Sequence, residues 1–318
     1  MPPPSSDIDA TAPQLVINRG ASRIRDPGKR RALVDLIAAA ITARTGLEPA
    51  IIDDTQEAAG AVLAALTAPP LVAVVGGDGT VRHAAGILAG RSIPLAIVPA
   101  GTGNVLAASL GIRGWRSAVD AIREGTPRTL DLGVAEWGRV GELTPDGSGP
   151  FVVAAGTGLD ARIMATAHEE WKRRLRFGAY VGAAFRELLR LAPVDFVITA
   201  DGETIERRGH LALVANTGQI IPGRFGPRRA IDPSDGRLDL LVAAGRGIPD
   251  GLRSAADLLL RTGELSGATI RRSVREVRIE TNPPQPVEID GDVHPPGWLA
   301  ARVAPAGMTV LVPPDRTG

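Results

Sequence analysis

Residues 71–80 read LVAVVGGDGT, and this stretch decides the fold class. Five apolar residues have the pattern of a buried strand, and Gly76 and Gly77 predict a tight turn into a helix. Glycines let phosphate oxygens approach the backbone, and a helix N-terminus offers free N–H groups to an anion. Asp78 would repel a bare phosphate, so it suits a Mg²⁺ ion held against a nucleotide. The alternative is a plain strand–helix turn with Thr80 as the N-cap.

A second loop of small residues follows the next predicted strand, Leu95–Val98. It reads PAGTGN and ends at Asn104, so it offers glycines, the Thr102 hydroxyl and an amide. Because the carboxyl ends of parallel strands meet at one edge of a sheet, both loops are expected to face the same ligand. Alone this loop is a weak signal, and together with the first loop it is a strong one.

The first 135 residues alternate between strand and helix patterns. Short apolar runs predict strands, and Ala/Leu-rich segments between them predict helices at Arg30–Arg44, Gln56–Leu66 and Val81–Leu88. The predicted strands are Leu15–Ile17, Ala50–Ile52, Leu71–Val75 and Leu95–Val98. Strands separated by helices imply a doubly wound parallel sheet, which makes this an α/β domain.

In the second half of the chain, strand patterns no longer alternate regularly with helix patterns. Residues 138–150 are rich in Gly and Pro and predict a linker or hairpin loop. The strand patterns after it suit an antiparallel, β-rich second domain, with hairpin turns at Asp201-Gly202 and Asp290-Gly291. These patterns lie at Phe151–Ala155, Val194–Ala200, His210–Ala215, Leu238–Ala243, Val274–Glu280 and Pro286–Ile289, with helical interruptions at Ala161–Leu191 and Pro249–Arg261.

These patterns divide the chain into segments. We expect a flexible N-terminus at 1–12, a nucleotide-binding domain at 13–135 and a β-rich domain at 136–304. Residues 305–318, with the apolar run Met308–Val312, are expected to return to the first domain.

Composition excludes several function classes. The formal net charge of +1 disfavours a dedicated nucleic-acid binder, and the absence of cysteine excludes disulfides and thiolate chemistry. No segment approaches the roughly 20 apolar residues that span a bilayer, and the start lacks a signal-peptide pattern. We therefore expect a cytoplasmic protein whose contact with membrane is peripheral. The sequence leaves the oligomeric state open, a homodimer included.

These motifs resemble the diacylglycerol kinase catalytic-domain family, which includes bacterial diacylglycerol kinases and sphingosine kinases. The resemblance runs from Asn18 to about Val312. Further matches are Thr55, Leu130-Asp-Leu-Gly133, Gly156-Thr-Gly-Leu-Asp160, Asn216-Thr-Gly218, Asp235-Gly-Arg-Leu-Asp239 and Ile289-Asp290-Gly291-Asp292. The resemblance implies a first domain similar to those of NAD kinase and phosphofructokinase, and a second domain that is an antiparallel sandwich or barrel.

The resemblance also implies an activity, ATP-dependent phosphorylation of a lipid hydroxyl assisted by Mg²⁺. Diacylglycerol or a related lipid at a membrane surface would be the substrate, and Asp290 the general base. The residues that would line the nucleotide are Asn18, Thr55, Gly76, Gly77, Gly79, Thr80, Gly101, Thr102 and Asn104. The residues that would serve the catalytic metal are Asp78, Asp131 and Asp292. Asp235 would belong to a separate, structural metal site.

Several positions depart from the family pattern. Arg19 stands where Pro is usual, Arg82 and His83 stand where Asn-Glu is common, and Val105 replaces an Asp of the magnesium network in bacterial relatives. Asp292 is one methylene shorter than the usual Glu, which puts its direct metal contact in doubt. Two alternatives stay open: a kinase of small molecules similar to NAD kinase, and a catalytically weak nucleotide-binding regulatory protein.

Four weaker patterns have simpler explanations. Gly156 and Gly158 formally fit a dinucleotide fingerprint, but no βαβ unit surrounds them. The four histidines have no metal-ligand spacing, and no serine has the context of a nucleophile elbow. The basic segment Lys172–Arg176 could touch anionic headgroups, although a solvated helix face explains it as well.

Overall fold

The computed structural model describes residues 9–54, 56–158, 193–218, 231–245, 250 and 269–314. The chain divides into two compact units. The first contains the described residues up to Leu132 and those from Pro305 onward; the second contains the described residues between Gly133 and Ala304. The sequence prediction placed the boundary after residue 135 and the return at 305.

The first unit is a parallel sheet covered by helices. Its strands are β1 (Gln14–Asn18), β2 (Ala50–Asp54), β3 (Val72–Gly76) and β4 (Pro94–Pro99), paired in the order β2-β1-β3-β4. The helices are α1 (Pro27–Thr45), α2 (Gln56–Ala65), α3 (Asp78–Ile87), α4 (Val105–Ser109) and α5 (Trp115–Glu124), and a 3₁₀ turn spans Ser22–Ile24. α1 packs against α5, and α2 packs against α3. The doubly wound sheet predicted from the sequence is confirmed.

Burial explains why these runs form strands. Leu15–Ile17 and Val72–Val75 are almost wholly inaccessible to solvent, as expected for parallel strands covered on both faces. Fully burying each such side chain contributes about 1.5–3 kcal/mol before entropy is counted.

α1 begins three residues earlier than predicted, because its start is set by a cap. The Asp26 carboxylate accepts a hydrogen bond from the Lys29 N–H at 2.8 Å, and Pro27 occupies the first helical position. Gly46 ends the helix at φ +73°, a left-handed conformation that glycine adopts without strain.

The second unit is built from antiparallel pairs. Its strands are β5 (Thr126–Gly138), β6 (Gly147–Phe151), β7 (Ala154–Gly158), β8 (Val194–Ala200), β9 (Glu203–Ala215), β10 (Leu238–Ala244), β11 (Thr269–Val274), β12 (Glu276–Asn282), β13 (Gln285–Ile289) and β14 (Asp292–Val312). Strand β9 reaches β14 by two routes, through β7 and β13 and through β8 and β12, so six strands close into a barrel-like ring. Phe151, Phe196 and Leu299 belong to its buried core. β5 and β14 begin or end in the first unit, so the chain passes between the units within these two strands.

The sequence prediction needs several corrections. α4 and α5 were not predicted, and the run Val274–Glu280 is split between two strands at Arg275. The loop predicted at 138–150 is a hairpin loop that spans only 139–146, because β5 ends at Gly138 and β6 begins at Gly147. The predicted two-residue turns are confirmed, with φ of +49° and +83° at Asp201-Gly202 and +48° and +94° at Asp290-Gly291. The predicted helices at 161–191 and 249–261, and most of the expected flexible N-terminus, lie outside the described residues.

Candidate functional site

The turn between β3 and α3 has an open face lined by backbone. Gly77 is the N-cap of α3, and its carbonyl accepts hydrogen bonds from the N–H groups of Thr80 and Val81 at 3.0 and 3.1 Å. Thr80 is therefore the third helical residue and not the N-cap. The first N–H groups of a helix have no acceptor within it, so they are available to an anion. A Cβ built on Gly79 would meet nothing within 4 Å, which leaves this face accessible.

The two glycine-rich loops are in direct backbone contact. A Cβ on Gly101 would lie 2.4 Å from the Cα of Gly77, closer than real Cβ atoms approach. The Ala100 N–H also donates to the Gly76 carbonyl at 2.8 Å. The expectation that both loops lie at one edge of the sheet is met, and their glycines are required for this close approach.

Asp78 connects the two loops. One of its carboxylate oxygens accepts a hydrogen bond from the Leu106 N–H at 3.2 Å, in the first turn of α4. A Cβ on Gly103 would lie 2.9 Å from the other oxygen. The carboxylate thus lies against the second loop, and glycine at position 103 gives it the necessary space.

Asn104 shapes the second loop from within. It is buried, adopts φ +55°, and exchanges two hydrogen bonds with the backbone of Gly101 at 2.9 and 2.7 Å. An asparagine tolerates this left-handed conformation, and its amide supplies both the donor and the acceptor that the turn needs. Its observed contacts are therefore structural, and its predicted contact with the nucleotide stays a prediction.

The loop after β1 joins this edge. The Asn18 amide donates to the Thr80 hydroxyl at 2.7 Å, and the Ser22 hydroxyl lies 3.2 Å from the Thr102 hydroxyl. Sequence reasoning singled out Asn18, Thr80 and Thr102 but missed Ser22, which lies in an irregular segment with no motif around it. Asn18, Thr80 and Thr102 follow or end β1, β3 and β4, so three predicted positions lie at the carboxyl edge of the sheet.

Asp131 has a structural contact in the first unit. It is 3% exposed, and its carboxylate accepts a hydrogen bond from the Ala306 N–H at 2.9 Å. This bond holds the returning C-terminal segment beside β5. Its predicted part in a magnesium network stays a prediction. Thr55 lies outside the described residues.

In the second unit, Asp290 lies in the β13–β14 hairpin turn. Its carboxylate accepts three backbone hydrogen bonds, from Val152 at 2.7 Å and from Val153 and Ala154 at 2.9 Å each. The Asp290 N–H in turn donates to the Ala154 carbonyl at 2.9 Å. Three donors on one carboxylate fix its orientation. A fixed orientation is one of the requirements of a general base.

The other Asp-Gly turn of the second unit gives a useful comparison. Asp201 accepts hydrogen bonds from the N–H groups of Arg275 and Glu276 at 2.8 and 3.0 Å, and from the Arg237 guanidinium at 3.3 Å. Burial raises the pKa of Asp201, but these hydrogen bonds and the positive charges of Arg237 and Arg272 outweigh it and lower the pKa below its usual value. Both turns therefore hold a carboxylate against a neighbouring backbone.

Asp235 and Asp292 complete the predicted metal positions. The Asp235 carboxylate accepts a hydrogen bond from the Arg237 N–H at 3.0 Å in a turn where Gly236 has φ +74°. Asp292 is exposed and pairs with Ile289 across the hairpin. Among the described residues, no three His, Asp or Glu side chains are grouped so that they could hold a metal ion. Magnesium commonly takes only one or two protein carboxylates and completes its shell with water and substrate phosphates. Asp78 fits that mode, whereas a dedicated protein cage is not present in the described part of the chain.

Two other expectations concern features outside the site. Gly156 and Gly158 lie within β7, between β13 and β9, so they do not form the turn that a dinucleotide fingerprint requires. The basic segment Lys172–Arg176 lies outside the described residues. Over the described ranges, no helix combines the length and the apolar character needed to cross a bilayer.

Relatives of known sequence support the lipid-kinase resemblance. The chain is 33% identical over 255 residues to a protein named diacylglycerol kinase from Mycobacterium tuberculosis (strain H37Rv), covering 76% of each. It is 24% identical over 247 residues to an uncharacterized protein, sll0036, of Synechocystis, and spans about half (54%) of that protein's length.

Solved structures support the fold. A putative diacylglycerol kinase from Bacillus anthracis matches with a TM-score of 0.71 at 23% identity, covering 95% of this chain and 97% of that one. Yeast NADH kinase, solved in complex with NADH, matches with a TM-score of 0.50 at 10% identity, covering 96% and 84%. At these identities the likeness concerns the fold alone, and it agrees with the predicted NAD kinase-like architecture.

Two family models match the chain in succession. Residues 28–135 match the diacylglycerol kinase catalytic domain, and residues 152–312 match the YegS C-terminal NAD kinase beta sandwich-like domain. The order of these matches follows the two units of the structure. Together with the glycine-rich loops and the 33% identical relative, they show that the chain belongs to the diacylglycerol kinase catalytic-domain family of lipid kinases.

Proposed function

We propose that this chain transfers the γ-phosphate of ATP to a hydroxyl of diacylglycerol or a related lipid at a membrane surface. The observation that carries the proposal is the contact between the two glycine-rich loops. Gly77 and Gly101 meet at backbone distance, and the N-terminus of α3 is left open beside them. This arrangement suits a polyphosphate, and the family is one of lipid kinases.

The residues of the first unit would bind and orient the nucleotide. The first N–H groups of α3 would receive phosphate oxygens. Asp78 would hold Mg²⁺ together with the phosphates, and when bound that ion would neutralise charge on the transferred phosphoryl group. The hydrogen bond from Asn18 keeps the Thr80 hydroxyl at the same edge.

Asp290 would accept the proton of the lipid hydroxyl. Phosphoryl transfer depends mainly on positioning and charge compensation, and a positioned base adds roughly 10²–10⁴-fold. The three backbone N–H groups on its carboxylate hold it in one orientation. The carboxylate would therefore need no rearrangement before it accepts the proton.

The test is transfer from radiolabelled ATP to a panel of lipids and to NAD, with Mg²⁺, followed by identification of the labelled product. We expect label in a glycerolipid phosphate when diacylglycerol is supplied in mixed detergent micelles. Label in NADP instead would favour a small-molecule kinase, an outcome that the fold shared with yeast NADH kinase makes worth including. Tight ATP binding with no transfer to any acceptor would contradict the proposal and favour a regulatory protein.

A further inference from the structure

One buried carboxylate of the second unit has no part in the proposed reaction. Glu288 lies on β13 and is 3% exposed, although glutamates are almost never fully buried unless a partner holds them. Its neighbours Val287 and Ile289 belong to the core of the unit, so Glu288 lies on the other face of the strand. Burial of a carboxylate away from water is costly, and a strand at this position does not require one.

The Glu288 carboxylate binds the turn that carries Asp290. Its Oε1 accepts a hydrogen bond from the Gly291 N–H, which belongs to the peptide that joins Asp290 to Gly291. In a two-residue hairpin turn the ladder bond joins the flanking residues, here Ile289 and Asp292. The ladder therefore supplies no acceptor for the Gly291 N–H, and the Glu288 side chain does.

The other Asp-Gly turn of this unit is docked on its neighbouring strand in the same way. In each turn the aspartate N–H donates to the first residue of that strand, to the Glu276 carbonyl from Asp201 and to the Ala154 carbonyl from Asp290. In each, one carboxylate oxygen accepts from the N–H of that same residue and of the residue before it. Both aspartates and the glycines after them have positive φ. The fold thus builds one local arrangement twice.

The two turns differ at the position two residues before the aspartate. That position is Glu288 in one turn and Thr199 in the other. Thr199 is exposed, and its hydroxyl lies 3.2 Å from the Thr204 hydroxyl. Within the part of the chain that the structure describes, no acceptor binds the Gly202 N–H. The aspartate therefore docks without a carboxylate on the following glycine, and the Glu288 contact is an addition at the turn that holds the candidate base.

This contact fixes the backbone after Asp290. The N–H donors of residues 152–154 hold its side chain, and the Ala154 carbonyl holds its own N–H. Glu288 binds the next peptide, so the peptides on both sides of the Asp290 Cα are hydrogen-bonded. Asp290 has φ +48°, which non-glycine residues adopt uncommonly, and the glycine after it allows rotation of the peptide between them. The Glu288 bond restrains that rotation at the residue that would meet the acceptor hydroxyl.

We propose that Glu288 is a positioning residue for phosphate transfer. It holds the peptide between Asp290 and Gly291, and with it the direction of the Asp290 carboxylate. The inference rests on the proposed function, because it requires Asp290 to be the base. It deepens that function by assigning a role to a second carboxylate, which acts through Asp290 and does not touch the acceptor.

The first test compares two substitutions of Glu288 in the mixed-micelle transfer assay. Glu288→Gln keeps an oxygen that can accept the Gly291 N–H, whereas Glu288→Leu removes both oxygens. We expect Glu288→Leu to lower kcat by about 10–100-fold with little change in the KM for the lipid, because a displacement of about 1 Å at a reacting group is that costly. Glu288→Gln should recover most of the loss. Equal losses in both variants would overturn the proposal, since the charge and not the hydrogen bond would then matter.

The matched control is Thr199→Leu, which changes the equivalent position of the Asp201 turn and should leave kcat at the native value. Circular dichroism checks that each variant is folded at the assay temperature. If Glu288→Leu does not fold, Glu288→Thr takes its place, because threonine is the residue that the other turn tolerates at this position.

A double variant shows whether Glu288 acts through Asp290. Glu288→Leu should cost little further activity when it is combined with Asp290→Asn, because residues that act as a unit have non-additive effects. Losses that multiply in the double variant would show an effect independent of the base and would overturn the positioning role.

Amide hydrogen exchange tests the contact without catalysis. In a chain labelled with ¹⁵N-glycine, we expect slow exchange at Gly291 and fast exchange at Gly202, for which the described residues provide no acceptor. The Gly291 N–H should exchange fast in Glu288→Leu and slowly in Glu288→Gln. Fast exchange at Gly291 in the native chain would contradict the hydrogen bond on which the proposal depends.

Failure of this inference is distinguishable from failure of the proposed function. If the native chain phosphorylates no lipid, the proposed function fails and the positioning role fails with it. If the native chain transfers phosphate and folded Glu288→Leu keeps the native kcat, only the positioning role fails.

Discussion

Asp290→Asn separates a catalytic role of this residue from its structural role. The carboxylate accepts three N–H groups from three consecutive residues, two of them on one oxygen. Asparagine keeps one carbonyl oxygen and replaces the other with an N–H₂ group, which is a donor. At least one backbone N–H at Val152, Val153 or Ala154 then loses its acceptor, and all three residues are buried.

The expected cost follows from that loss. A buried donor left without an acceptor costs about 1–3 kcal/mol. For a domain of this size each kcal/mol corresponds to about 2–4 °C in melting temperature, so we expect a decrease of about 2–12 °C. The variant should remain folded at 25 °C. Phosphate transfer should nevertheless fall by about 10²–10⁴-fold, the contribution of a general base.

The matched control is Asp201→Asn. It changes the same residue type in the same kind of Asp-Gly turn. Both backbone N–H groups bind one carboxylate oxygen, which the asparagine carbonyl oxygen can replace, so the loss falls on the other oxygen, which accepts from the Arg237 guanidinium. We expect a decrease in melting temperature no larger than that of Asp290→Asn, and unchanged transfer. Melting is followed by circular dichroism, and transfer is measured in mixed micelles at saturating ATP.

Two outcomes would refute this reasoning. If folded Asp290→Asn transfers phosphate at the native rate, Asp290 is a turn residue and not the base. If its melting temperature equals that of the native chain, the three hydrogen bonds do not hold the hairpin as described. A loss of transfer in both variants would show that hairpin distortion, and not the base, limits the reaction.

Three further predictions concern the glycine-rich loops, the end of a helix and the pH dependence of the Asp201 turn. Gly101→Ala should weaken binding of an ATP analogue and destabilise the chain by about 1–3 kcal/mol, because its Cβ would collide with the neighbouring loop; Gly114→Ala, with open space around it, should do neither in the same assay. Arg44→Met should lower the melting temperature by about 2–8 °C without affecting analogue binding, since the guanidinium donates to two carbonyls at the end of α5. The pKa of Asp201 is lowered on folding, so its ionised form stabilises the fold above the unfolded pKa near 3.8. The stability difference between the native chain and Asp201→Asn should therefore be full at pH 7 and shrink as pH falls through that lowered pKa; urea titrations at several pH values would show a constant difference if the reasoning is wrong.

The parallel sheet could be predicted because each of its strands is a continuous apolar run. Leu15–Ile17 and Val72–Val75 are buried on both faces, so their pattern is independent of which neighbours they pair with. The glycine-rich loops could be predicted for a similar reason. The backbones at 77 and 101 approach closely: a Cβ on Gly101 would lie 2.4 Å from the Cα of Gly77, and one on Gly77 would lie 3.2 Å from the Cα of Gly101.

The missed elements were missed for different reasons. β5 contains charged residues and a proline, and it is a strand because Gly133 to Trp137 pair with residues 147–151. α5 carried a local signal that was not used: its apolar residues Trp115, Ala118, Val119 and Ile122 recur at helical spacing. The start of α1 was missed in the same way, since the Asp26-Pro27 cap was present in the sequence and was not used.

The sequence identified residues of the candidate site but not the hydrogen bonds between them. Asn18, Thr80 and Thr102 were identified by resemblance, and the structure shows the partners of their side chains. The contact of Asp78 with the Leu106 N–H could not be predicted, because it depends on where α4 begins. The three donors on Asp290 lie more than 130 residues away in the sequence, beyond the reach of any local motif.

The pairing of β4 with the end of β14 has a consequence for synthesis of the chain. Thr309 and Val310 lie beside Pro94 and Leu95, so the nucleotide-binding sheet is completed by residues that leave the ribosome more than 200 positions later. Until then β4 is an unprotected edge strand, the kind of surface that invites aberrant pairing. Expression of residues 1–135 alone would leave that edge permanently exposed. Any attempt to isolate the nucleotide-binding half should therefore carry the 305–314 segment as a fused or added peptide.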